Sequence, residues 1–74
     1  MASENRHWWQ GTKHLVSHRD SNGLCDLADK IEAVYGFGIC KVMLSTVGPS
    51  AIYIDCRFPA WEKAFAYGRE LLGF

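Results

Sequence analysis

With 74 residues, 49% of them hydrophobic and 14% aromatic, the chain is one domain near the lower size for unaided folding, where stability is typically roughly 3–5 kcal/mol. A charged fraction of 22% with only two prolines argues against intrinsic disorder. Eight basic residues balance eight acidic ones, so no global field draws the chain to nucleic acid or an anionic membrane.

The balance is uneven along the chain. Residues 1–19 carry Arg6, Lys13 and Arg19 against Glu4 and hold all three histidines, residues 20–37 are acidic, and residues 38–74 restore neutrality. Residues 1–11 read as a partly ordered N-terminal segment, with Ser3 as a candidate cap for a short helical turn ending at Gly11. Residues 12–74 read as a single α+β domain. Leu15 and Val16 lie among polar neighbours in residues 12–19, which lack helical periodicity and predict a short strand of ambiguous facing.

Asp20-Ser21-Asn22-Gly23 is a cluster of cap and turn residues. Leu24, Leu27, Ala28, Ile31, Val34 and Tyr35 then recur at helical spacing and predict one apolar face of a three-turn helix. Gly36 is placed to cap it in a left-handed conformation, with Phe37 folding back onto Ile31.

From Ile39 the period becomes two. Cys40, Val42 and Leu44 share one face, with Lys41 and Met43 on the other. A turn centred on Gly48 leads to a strand with Ile52, Ile54 and Cys56 inward and Tyr53, Asp55 and Arg57 outward. Pro59, favoured at a first helical position, predicts the start of a last helix whose inner stripe is Trp61, Ala64, Phe65, Gly68, Leu71 and Leu72. The order β-α-β-β-α predicts a three-stranded antiparallel sheet with two helices on one face. In a split β-α-β arrangement the first strand pairs with the third and leaves an open outer edge. Residues around Trp8 and Trp9 would cover that edge, or a partner chain would use it.

Pairing Val42 with Ile54 and Leu44 with Ile52 would set Cys40 opposite Cys56, close enough for a disulfide or a two-thiolate site; two small buried hydrophobes are the plainer reading. Three cysteines without C-x-x-C spacing suit a reducing compartment. With no apolar run of signal-peptide or membrane-span length, a cytoplasmic location is expected. His7, His14 and His18 invite a metal reading, but a four-residue step along a strand is poor ligand spacing, so no metal and no cofactor is expected. Cys25, near a helix start, has Asp26, Asp29 and Glu32 around it, which oppose thiolate formation.

No hydrolase, phosphate-loop, zinc-protease or dinucleotide motif is present, so the sequence leans away from an enzyme. The expectation is a small cytoplasmic interaction module, an inhibitor or adaptor of the kind phages and mobile elements encode, whose partner is an unidentified protein. Its candidate contact residues are Trp8, Trp9, Leu15 and Val16, with Asp26, Asp29 and Glu32 as an acidic helix face. One alternative is a nucleic-acid face of Lys41, Tyr53 and Arg57; another is a homodimer, self-associating through the edge strand, with a ligand or catalytic site between subunits.

Overall fold

The computed structural model of the chain describes residues 11–74. Trp8, Trp9 and His7 lie outside the described residues. The elements are β1 (Thr12–His18), α1 (Ser21–Tyr35), β2 (Cys40–Met43), β3 (Ser50–Asp55) and α2 (Trp61–Leu71). The strands form one antiparallel sheet in the order β1-β3-β2. This is the α+β order expected from the sequence, with the first strand paired to the third.

The ambiguity of β1 resolves into a β-bulge. Residues 12–14 pair with residues 55–53, whereas Val16 pairs with Ile52 and His18 with Ser50, so Leu15 is an extra residue against β3. An extra residue breaks the strict alternation of faces. Leu15 and Val16 therefore both turn toward the helices: Leu15 is buried in the core and Val16 packs against it. On the outer face, His14 meets Tyr53 edge to face, with ring centroids 5.4 Å apart.

Helix α1 starts inside the predicted cap-and-turn cluster, at Ser21, and its cap is Asp20, whose carboxylate accepts a hydrogen bond from the Gly23 N–H at 3.1 Å, filling one of the first-turn donors that a helix leaves unpaired. Leu24, Leu27, Ala28 and Ile31 are buried. Val34, predicted on the same stripe, is exposed, because in the last turn it is Tyr35 that faces α2, meeting Tyr67 with ring centroids 5.7 Å apart. Gly36 has φ 122° and ψ 144°, a positive-φ turn of extended ψ rather than a left-handed cap. Phe37 consequently points away from Ile31 and is 91% exposed.

Glu32 corrects the picture of a solvated acidic face. Its Oε2 accepts hydrogen bonds from the backbone N–H groups of Gly38 at 2.9 Å and Cys40 at 3.3 Å. One half-buried carboxylate thus pins the start of β2 to α1, and Ile39, fully buried, enters the core where Phe37 was expected.

The β2–β3 parity is as predicted, but the register differs by two residues. Cys40 pairs with Ile54 and Val42 with Ile52, so Cys56 lies beyond the paired segment and does not oppose Cys40. Leu44, expected on the inner face, is 64% exposed. The cause is the turn: Ser45 N–H donates to Ser50 Oγ at 3.1 Å, and Ser45 Oγ accepts from the N–H groups of Val47 and Gly48. These side chain–backbone bonds give the connection its own local structure and end β2 at Met43.

The last helix begins at Trp61 rather than Pro59. Phe58 N–H donates to the Asp55 carbonyl and Trp61 N–H to the Phe58 carbonyl, which places Pro59 inside a turn between β3 and α2. Ala64 and Gly68 are buried, whereas Leu71 and Leu72 at the end of the expected stripe are partly exposed. Gly68 is a close-approach position: a Cβ built there would lie 2.7 Å from Leu15 Cδ2 and 3.0 Å from Ile31 Cδ1. The missing side chain lets α2 settle against both β1 and α1.

Gly68→Val therefore overpacks the junction of three elements. The expected loss is about 1–3 kcal/mol, read as a lower urea midpoint with an unchanged denaturant slope.

Candidate functional site

The residues proposed for binding do not form one patch. Leu15 is 8% exposed and points into the core, so its side chain is structural. Val16 is half-buried. It lines an open, mostly apolar groove of about 210 Å³ with His18, Asp20, Gly23, Leu24, Leu27 and Leu72. This groove lies where β1, the first half of α1 and the end of α2 meet. Among the described residues the sheet has three strands with β1 at one margin, so the groove sits on the helix side of that edge strand.

Asp26 and Asp29 are exposed on α1, but Glu32 is committed to the backbone of the α1–β2 loop. Cys25 is exposed as well. The acidic helix face thus comprises two solvent-facing carboxylates rather than three.

The alternative residues Lys41, Tyr53 and Arg57 do gather around the outer face of β3. Lys41 and Tyr53 are direct cross-strand partners. The basic groups, however, surround a buried acid. Asp55, 2% exposed, accepts from Arg57 Nε at 3.0 Å through Oδ1 and from Arg57 Nη2 at 2.9 Å through Oδ2, and Oδ1 also accepts from the Arg57 backbone N–H at 2.9 Å. Lys41 Nζ lies 3.9 Å from Oδ2. Bidentate, charge-assisted pairing of this kind fixes geometry as well as charge. Tyr53 is 9% exposed, with its ring against His14. The Tyr53 ring is therefore not an open platform on which a nucleotide base stacks.

The histidines fall on different faces. His14 stands on the outer face beside Tyr53, while His18 lines the groove and its Nδ1 accepts from the Asp20 N–H at 3.0 Å. Among the described residues no group of three His, Cys, Asp or Glu side chains is placed to hold a metal. The bulge does bring His14 Nε2 within 2.7 Å of Ser17 Oγ, a base beside a hydroxyl. That pair lies on an exposed strand surface, without the enclosure that nucleophilic chemistry requires. The cysteines are free thiols. Burial, reinforced by the nearby Glu32 charge, pushes the Cys40 thiol up to about 12, and burial raises Cys56 as well. No helix among the described residues is long and apolar enough to cross a membrane.

Sequence reasoning missed the groove, because its lining comes from three elements that are distant in the chain. One signal was present. Two adjacent apolar residues, Leu15-Val16, in an otherwise polar strand cannot both face inward without a bulge.

Two measurements follow. The Arg57 hydrogen bonds hold the Asp55 carboxyl below its ordinary range. A depressed carboxylate stabilises the fold above its unfolded value of about 3.9 and loses that contribution as pH falls toward the folded value. Stability should therefore drop as pH is lowered through about 4, and Asp55→Asn should flatten this acid limb while costing about 1–3 kcal/mol at neutral pH. In thiol titration of the native protein Cys25 should react first and Cys40 only on unfolding, with all three thiols reactive once the chain is denatured.

Compared with known proteins, the chain matches no family model, no curated protein and no solved structure at a significant level.

Proposed function

We propose that this protein is a small binding module that captures an extended segment of another protein along the outer edge of β1, acting as an inhibitor or adaptor rather than as an enzyme. What supports this reading is a seven-residue strand that lies, among the described residues, at the sheet margin, with a mostly apolar groove lined in part by its Val16 and His18. Strand addition draws affinity from main-chain hydrogen bonds and specificity from pockets that receive alternate side chains.

The supporting features are consistent with binding rather than chemistry. The groove is shallow and lined mainly by aliphatic side chains, and the titratable groups on the outer face are engaged in pairing. The exposed Cys25 thiol suits a reducing compartment, so we place the protein in the cytoplasm.

A proline on the edge tests the reading. Gly11 C=O accepts from Cys56 N–H at 2.8 Å, and the ladder alternates along an antiparallel pair. That alternation turns the His14 N–H away from β3, where proline is tolerated on an edge strand. His14→Pro should keep the far-ultraviolet circular dichroism of the wild type and lose partners captured from lysate by crosslinking. Identical capture by both folded proteins would overturn the edge as the contact.

A further inference from the structure

The loop between β2 and β3 meets an arginine that the fold leaves without a task. Arg19 directly follows the last residue of β1 and lines an open cavity of about 340 Å³ together with Ser45, Thr46, Val47 and Gly48. Among the described residues Arg19 takes part in no ion pair; the basic groups so engaged are Lys41 and Arg57, both on Asp55. No acidic side chain is among the described residues that line this cavity. Along the chain none occurs between Glu32 and Asp55. Asp20, next to Arg19, places its carboxylate on the Gly23 N–H and lines the neighbouring groove instead.

The loop supplies donors to the same cavity. Val47 N–H and Gly48 N–H both donate to Ser45 Oγ, at 3.3 Å and 3.1 Å. A hydroxyl has two lone pairs and one proton, so with both lone pairs taken Ser45 offers a ligand only its O–H. Accepting two bonds also polarises that O–H and strengthens it as a donor. The Ser45 backbone is fixed in turn by donating its N–H at 3.1 Å to the Oγ of Ser50, which is buried. Thr46, exposed in the same loop, adds a second hydroxyl. The cavity thus presents a guanidinium fork and two hydroxyls with no anionic group among them.

We propose that this cavity binds a phosphate group, with Arg19 as the charged anchor and the Ser45 and Thr46 hydroxyls as further donors. The planar fork of arginine matches phosphate bidentately, and charge-assisted bonds of this kind are the strong ones. A tetrahedral oxyanion held by that fork keeps oxygens for the loop donors, whereas a carboxylate spends both of its oxygens on the fork. Size is not limiting, since a cavity of roughly 150 Å³ already takes up a benzene-sized guest. Val47, almost fully exposed, gives the organic part of a phosphate ester an apolar contact at the rim. The site uses neither the β1 edge nor the groove, so it stands or falls apart from the binding role proposed above.

The experiment titrates the isotope-labelled full chain with inorganic phosphate, phenyl phosphate and acetate at neutral pH and constant ionic strength, and reads the backbone amide spectrum residue by residue. Both phosphates should give saturable shifts centred on Arg19 and residues 45–48, with acetate weaker by about tenfold or more. Arg19→Gln, at an exposed position without an ion-pair partner, should keep the rest of the spectrum and weaken phosphate by about tenfold. Arg19→Lys, which keeps the charge and loses the fork, should fall between the two. Asp20→Asn, which preserves the helix cap and removes a nearby negative charge, should tighten phosphate by about two- to fivefold.

Tighter binding of phenyl phosphate than of inorganic phosphate would assign an ester to the site, and equal binding the free ion; the site stands in both cases. Shifts that fail to saturate, or that spread evenly over the basic residues, would mean an adventitious ion only and overturn it. Equal phosphate binding by folded Arg19→Gln would overturn it as well, and acetate binding as tightly as phosphate would overturn the phosphate assignment.

Discussion

One extra residue in β1 sets the geometry on which the rest of the domain depends. Leu15 has no residue of its own opposite it in β3, and that irregularity sends both Leu15 and Val16 toward the helices. A regular strand would have put one of them on the outer face. Leu15 fills the junction with Gly68 of α2 and Ile31 of α1, while Val16 opens onto the groove. Core and groove are thus two consequences of a single bulge. Bulges recur at sheet edges, where they re-aim side chains and bend the strand, and this one lies on a marginal strand.

The polar interior is held by two carboxylates with different tasks. Glu32 satisfies two backbone donors in the turn between α1 and β2, where unpaired N–H groups would be costly. Asp55 gathers Arg57 and Lys41 on the outer face of β3. Because β3 is the central strand, flanked by β1 and β2, its residues are buried on both faces. Both acids are consequently spent on the fold.

Among the described residues β1 has a neighbouring strand on one side only, and a marginal strand left open would template pairing with any extended chain. The bulge at Leu15 limits how long a flat ladder such a strand can offer. In a domain this small, overall stability is typically a few kcal/mol, so a single core contact is a large fraction of it. Leu15 anchors the strand from within.

The sequence by itself determined the element order, the cap cluster at residues 20–23, the inner face of α1 up to Ile31 and the parity of β2 against β3. All of these follow from short-range periodicity and cap chemistry, and each is written in residues close together in the chain. Only the tertiary structure decided the two-residue difference in register, because the Ser45 and Ser50 hydroxyls end β2 early. It likewise decided that Glu32 faces a loop rather than solvent, that Pro59 belongs to a turn, and that Phe37 and Val34 remain outside the core. The groove was hidden for the same reason: Val16, Leu24, Leu27 and Leu72 lie far apart in the chain. They meet only because the bulge turns Val16 inward and Gly68, having no side chain, lets α2 approach.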